Sequence, residues 1–547
     1  MSGVVTAVGP NAVPVTAAGA GTRVARLTVR LVRRGALLLA LATALYAAID
    51  ALTFVRTYPD AASRGRLAAF EDDPTVRMLQ GVPHAIGTTG GFVVWDIGWL
   101  LALVTGVWVL LTVTRLLRGD EEAGRADLVL AAPVRATRVL AAQVLVVVGA
   151  VAVVGAGLAV TLAAAGAGTG GSVLFGLGIT AFGATCAGIA AVCAQVWPTR
   201  GRATAGAAAV FGAAYLLRIV ANGADGRARL RWFTPFGWLD ALHPYGGDPD
   251  WAALAAPVAA SVLLTLAAVR LRTARDAGGA LIAAADRRRP RTRFLGGPLA
   301  FAWRTTAAMT TGWSAGICAY AVLIGAMTTT FTRFVAKDAG TRQMLADIGW
   351  DAADAAAGFV GLMGVVLGLL IALYACWRIG AARTEEASGR LEHVLVRAVT
   401  RRRWLAGHAA LTLAGAALTA CASGVAVWAG ATATGAHVGL GGALAATCNP
   451  LPVVVLAAGL AVLVFGARPR ATVAAPVTLT VTAYVAEMVG PALHWPERAM
   501  DLSPFHHLAA VPAEPYAPVA GIVLTVLGLL ALAAGAVLFE RRDLTAD

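Results

Sequence analysis

The side chains of this sequence that could do chemistry are few, and most are clustered. Glu121, Glu122, Arg125 and Asp127 lie in GDEEAGRADLVLAAPV, 119–134, between two apolar runs. A near-copy, ARTEEASGRLEHVLVRAV at 382–399, carries Glu385, Glu386, Arg390 and Glu392. Acids beside arginines at such spacing make ion pairs, and Glu122 and Arg125, three apart, share one face of a helix. Asp120 is placed to cap that helix, with Glu121 and Glu122 in the first turn, where the dipole favours negative charge. Leu128, Val129 and Leu130 supply an apolar side, and Pro133 suits the start of the next helix. The expected product is a short amphipathic helix lying across a membrane surface. In the second copy Glu385 and Glu386 open it, Gly389 and Arg390 follow, and Glu392 keeps the acid. A fixed order of acid and base serves a protein-docking surface; a loop that only has to stay out of lipid needs none.

Three other chemistries have candidates. ATP hydrolysis needs a phosphate loop ending in Gly-Lys-Ser/Thr. Lys337 is the only lysine, it is followed by Asp338, and no Gly precedes it, so the motif is absent and no enzyme activity is expected. Proton transfer needs ionisable groups deep in the bilayer. Asp50, Asp96 and Glu487 are the candidates, but each lies toward a span end near Tyr46, Trp95 or Tyr484, as interfacial residues do. His506-His507 has no Cys or carboxylate set at ligand spacing and reads as an exposed pair. The six cysteines fall in or beside apolar spans and read as small core residues. No cofactor or metal is expected in this chain.

The elements that must position these residues are membrane helices. The sequence is 58% hydrophobic and 14% charged, where a soluble domain carries about 25% charged residues. Runs such as ALLLALATALYAAIDALTFV, 36–55, reach the ~20 residues needed to cross a hydrocarbon core. About twelve spans are expected, near 36–55, 91–114, 139–165, 170–196, 203–221, 251–270, 312–331, 356–377, 408–432, 444–466, 471–490 and 518–539. The net charge of +14 reads as an orientation signal, because most Lys and Arg fall in loops of one side. That bias places both termini in the cytoplasm. No soluble domain joins basic residues to base-reading partners, so nucleic acid is not an expected partner.

Residues 1–22 read as a disordered tail. Within 22–35, Arg23, Arg26, Arg30 and Arg33 follow one helical face and Val24, Leu27 and Leu31 another, as in an elbow resting among headgroups before the first span. The first apolar run is too long for a signal peptide and has a counterpart at 312–331. The chain is duplicated. Gly124, Arg125, Val129, Leu130, Val134 and Arg138 correspond to Gly389, Arg390, Val394, Leu395, Val399 and Arg403. Arg200 and Arg202 correspond to Arg468 and Arg470, and Thr234-Pro235-Phe236 to Ser503-Pro504-Phe505. The expected architecture is an all-α polytopic membrane protein of two parallel six-helix units, 23–285 and 286–547, joined by the basic linker 270–293.

At the two charged loops the chain resembles the membrane subunits of ABC exporters of the ABC-2 type, in particular the double-length actinobacterial permeases of tetronasin or polyketide-antibiotic export. The resemblance implies that each loop is a coupling helix docking on a separate ATPase subunit. The first would use Glu121, Glu122, Gly124, Arg125, Asp127 and Arg138, the second Glu385, Glu386, Gly389, Arg390, Glu392 and Arg403. Ala398 stands where the first loop has Pro133. The resemblance further implies two ATPase copies per chain, with ATP and Mg bound there. Pro235, Phe236, Pro504 and Phe505 would stand in outer loops folded partly back into the membrane. The expected activity is export of apolar or amphipathic compounds (an antibiotic, drug or secondary metabolite) across a bacterial cytoplasmic membrane. The alternative is a proton-driven multidrug antiporter of the major facilitator type. The charged pattern of that family fails here, since Glu121-Glu122 stand where an Asp and a base belong. A non-transporting membrane scaffold is a third class.

Overall fold

Inside a bilayer an unpaired backbone N–H or C=O finds no water, so long apolar runs are forced into helices. The computed structural model describes residues 17–67, 74–223, 225–275, 279–282, 296–337, 355–397, 399–490 and 495–544, and among these the regular elements are helical, with no strand. Eleven helices among the described residues are long and apolar enough to cross a membrane. The difference from the expected twelve lies at 471–490. There a 3₁₀ turn, Pro469–Ala471, is followed by a helix of only 16 residues, Ala474–Val489. At 1.5 Å per residue it is ~24 Å long, short of a ~30 Å core.

The chain divides into two compact units, Met1–Arg288 and Arg289–Asp547. The first contains α1 (Ala17–Thr57), α2 (Thr89–Thr114), α3 (Arg125–Leu130), α4 (Ala136–Ala164), α5 (Thr169–Val196), α6 (Arg200–Asn222), α7 (Pro235–Asp240) and α8 (Ala255–Thr273). α5 is the centre of this unit and packs against α2, α4, α6 and α8. Gly155 of α4 and Gly176 of α5 let their backbones touch. A Cβ at Gly155 would lie 2.2 Å from the Gly176 oxygen, and one at Gly176 2.4 Å from the Gly155 oxygen. Small residues at a crossing are how helices gain contact where lipid removes the hydrophobic drive.

α1 begins at Ala17, inside the stretch expected to be a disordered tail; residues 1–16 lie outside the described residues. It then runs unbroken for 41 residues. A separate elbow among the headgroups is therefore corrected, because one continuous helix of ~60 Å cannot both lie along the membrane and cross it. Val24, Thr28, Val32 and Ala36 recur every four residues and are buried, while Arg23, Arg26, Arg30 and Arg33 face outward. Further along, Leu38, Leu41 and Leu45 are exposed, 57–67% accessible, as lipid-facing residues are.

The second unit contains α9 (Pro298–Lys337), α10 (Ala355–Ala387), α11 (Arg390–Leu395), α12 (Arg401–Ala433), α13 (Leu440–Cys448), α14 (Leu451–Ala467), α15 (Ala474–Val489) and α16 (Pro518–Arg541). Here α10 is central, packing against α9, α12, α13, α14 and α15. One span is interrupted between α13 and α14 at Asn449-Pro450, where proline removes a helix donor. Asn449 turns outward from the ladder and donates Nδ2 to the Ala509 oxygen at 2.8 Å.

Candidate functional site

The base of α2 tightens into a π-helical turn, Arg115–Gly119, that swings Arg118 inward until it is 1% exposed. π turns of this kind re-aim one side chain without ending the helix. Arg118 donates to the Pro198 oxygen at 3.0 Å, to the Gly279 oxygen at 2.9 Å and to Glu121 Oε2 at 2.6 Å. Arg275, just beyond α8, reaches the same carboxylate at 2.8 and 3.0 Å and also donates to Gln195 Oε1 at 2.8 Å. Arg272 Nη2 stands 3.4 Å from Glu121 Oε1. Glu121 is thus held by the unit itself.

Its neighbours differ from expectation as well. Asp120 does not cap a helix. It pairs with Arg125 at 2.7 Å, so the Glu122–Arg125 pair is not formed. Glu122 instead accepts from the Arg200 backbone N–H at 2.7 Å, at the exposed start of α6 where the dipole is positive. Gly124 takes the left-handed conformation, φ +68°, and divides the expected helix into a turn, Asp120–Glu122, and the six-residue α3. Pro133 lies in the bend before α4, which starts only at Ala136. Arg125, Asp127 and Leu128 point outward, and Arg138 is exposed in the first turn of α4.

The second loop is built alike, with the acids shifted. Glu385 and Glu386 do not open a helix; they close α10, and both are buried, 4% and 3% exposed. Glu386 receives both terminal nitrogens of Arg542, at 2.5 and 2.6 Å, from the chain just after α16. The fork-to-fork geometry matches guanidinium to carboxylate. Glu385 accepts from Trp404 Nε1 at 3.3 Å and Thr305 Oγ1 at 3.2 Å, and lies 3.4 Å from His408 Nε2. Arg378 Nη1 meets His408 Nδ1 at 3.2 Å. A guanidinium only donates, so Nδ1 accepts and the ring proton sits on Nε2, toward Glu385. Gly389, φ +71°, then breaks the chain before α11, as Gly124 does before α3. Arg390, Glu392 and Arg403 are exposed, and Ala398 lies outside the described residues.

The other repeated motif also recurs in geometry. Thr234 Oγ1 donates to the Ala214 oxygen at 2.9 Å and accepts from the Phe236 N–H at 3.3 Å. Ser503 Oγ does the same with the Ala483 oxygen at 3.0 Å and the Phe505 N–H at 3.3 Å. Phe236 meets Tyr215 edge-on at 5.2 Å, and Phe505 meets Tyr484 edge-on at 5.5 Å. Both phenylalanines are buried. Pro235 opens α7, where its missing N–H costs nothing; Pro504 falls in a turn.

Sequence reading missed the partners that hold the acids: Arg118, Arg272 and Arg275 in one unit, Trp404, His408 and Arg542 in the other. Arg118, three residues before Glu121, was the one local signal. Of the other ionisable candidates, Gln80 Nε2 donates to Asp96 Oδ1 at 2.8 Å, and the Asp50 and Asp96 side chains face one another. Glu487 is paired with His506 at 3.2 Å, and His507 contacts the Asp501 oxygen.

With this geometry in hand, comparison with known families is decisive. The family model described as multidrug efflux system permease Rv1217c, C-terminal domain, matches residues 22–272 and 295–540. The chain belongs to this family of multidrug efflux permeases. It is 32% identical over 494 residues to the multidrug efflux system permease protein Rv1217c of Mycobacterium tuberculosis (strain ATCC 25618 / H37Rv), covering 89% of this chain and 88% of that protein. Such a permease, with eleven spanning helices described, is a multi-pass membrane protein. The repeated loops and the Thr234 and Ser503 turns just described lie inside the two matched regions.

Proposed function

We propose that this chain is the membrane-spanning subunit of an efflux transporter that moves apolar or amphipathic drugs outward, powered by a separate ABC ATPase. Its relative's name carries multidrug efflux. The absence of a phosphate loop leaves the energy source to a partner. The observation that carries the coupling is the pair of glycine-broken loops. Each is fastened by a glutamate–arginine contact to the chain after the last helix of its own unit, at Arg275 and Arg542. A push on such a loop is transmitted to two helix ends at once. With Glu121, Glu385 and Glu386 engaged inside, docking falls to the outward residues that follow the glycines. These are Arg125, Asp127 and Leu128 in one loop, and Arg390, Glu392 and Val396 in the other, with Leu128 78% and Val396 87% exposed. Two ATPase copies, each with ATP and Mg, would serve the two loops from the cytoplasm.

The test is co-purification with a co-expressed ABC ATPase, followed by transport in vesicles. Reversing Arg125, Asp127, Arg390 and Glu392 together should abolish co-purification while the permease still folds. Full retention of the ATPase would reject these loops as its seat. The Asp50 and Asp96 carboxyls, facing one another from two spanning helices, favour a second reading, proton-driven antiport. Transport that stops with an ionophore and continues without ATP would select it.

A further inference from the structure

A cavity of about 480 Å³ lies beneath the first loop, between α1, α3, the π turn and the base of α8. Its walls are apolar, with Leu27 and Leu31 from α1, Leu128 and Val129 from α3, and Val139 from α4. Its charged lining is unbalanced, with Arg115, Arg125, Arg272 and Arg275 against Asp120 and Glu121. Arg272 and Arg275 converge on the single carboxylate of Glu121, which Arg118 also holds from behind the lining. Arg118 and Arg275 also satisfy backbone and amide oxygens. Arg272 does not. It is 8% exposed, lines the cavity, and has the 3.4 Å approach to Glu121 as its ion contact among the described residues, with no hydrogen bond there. Arg115 lines the same space and has no ion-pair partner among the described residues. Asp120 and Arg125 at the rim cancel one another. A buried cation such as Arg272 that shares its one acid with two others is costly unless an anion joins it, and the exposed Arg115 stands at the mouth to help hold that anion.

We infer that this cavity holds an anionic phospholipid, its phosphate against Arg272 and Arg115 and its acyl chain laid along α1. Arginine matches phosphate oxygens in pairs. The depth agrees: the N-terminal run of arginines in α1 closes at Arg34, and an uncharged apolar run then extends from Gly35 to Ile49, the sequence boundary expected at headgroup level. From Leu27 and Leu31 the exposed apolar line continues through Leu38 and Leu45 on the same helical face, a path for the chain into the bilayer. A free phosphate would satisfy the arginines and leave those walls wet. The inference does not depend on an ATPase, so its failure would leave the exporter reading standing.

The experiment is native mass spectrometry of the purified full chain, released in mild detergent from bilayers of equal phosphatidylglycerol and phosphatidylcholine. The wild type should retain phosphatidylglycerol in preference. Arg272→Gln and Arg115→Gln should each lower that retention roughly tenfold, as loss of a charge-assisted contact does. Leu31→Trp, which fills the cavity from an exposed position, should lower it without altering charge. Arg403→Gln, on an exposed turn of the other unit, should not. Because Arg115 and Leu31 are exposed, those variants keep the test open if Arg272→Gln misfolds. Equal retention of the two lipids, loss in Arg272→Gln with Arg115→Gln and Leu31→Trp unaffected, or displacement by inorganic phosphate alone would overturn the inference.

Discussion

Arg542→Ala tests the fastening of the second loop. The Glu386 side chain is 1% exposed and that of Arg542 16%, and the guanidinium also lies 5.1 Å over the rings of both Phe465 and Phe539. Removing one member of a buried pair costs about 3–5 kcal/mol, because the remaining charge loses a contact that offset its desolvation. The lost ring contacts add roughly 0.5–1 kcal/mol each. We therefore expect about 3 kcal/mol or more. The comparison is Arg125→Ala in the first loop, whose pair with Asp120 joins a 60% exposed arginine to a 20% exposed acid and is worth about 0.2–1 kcal/mol. Since the Glu386–Arg542 pair joins the ends of α10 and α16, its loss acts locally. Amide hydrogen exchange in the last turn of α16 should accelerate by about 100-fold, at tenfold per 1.4 kcal/mol. The double variant Glu386→Gln with Arg542→Gln should recover part of the protection, because both charges are then removed from the buried site. Exchange within threefold of wild type after Arg542→Ala, or a double variant worse than the sum of the single ones, would refute the reasoning.

Gly124→Ala and Gly389→Ala should each destabilise by about 1–2 kcal/mol, read as a lowered thermal midpoint in detergent. A Cβ at either position meets nothing within 4 Å, so the cost is conformational and Asn should recover much of it; equal loss with Asn would refute this. Elsewhere in the first unit the tilted rings of His84 and His243 lie with centroids 3.8 Å apart. Burial first, then the His243 charge and Arg231, lowers His84 to about 4 from the ordinary 6.5. Between those values the unfolded chain binds more protons than the folded one, so stability is full above pH 6.5 and is lost as pH falls toward 4. Exchange around residues 81–88, corrected for intrinsic rate, should rise from pH 7.5 to pH 5, and His84→Phe should flatten the change.

The class of this protein is written locally. Apolar runs such as 36–55 have no stable form in lipid but a helix, so the spans can be read one at a time, down to a few residues. The repeat was legible for the same reason: Gly124 and Gly389 set a backbone angle, and Thr234 and Ser503 bond to the amide two residues on. Less legible was length near a proline, as at Pro469, where a 3₁₀ turn shortened α15.

What the acids do was decided by tertiary structure alone. Glu121 and Arg275 are 154 residues apart, Glu386 and Arg542 156. Glu385, Glu386 and Glu122 look equivalent in sequence, yet two are buried and one is exposed at a helix start. A charged side chain goes inward only where a partner repays its lost water, and that partner arrives when distant helices pack.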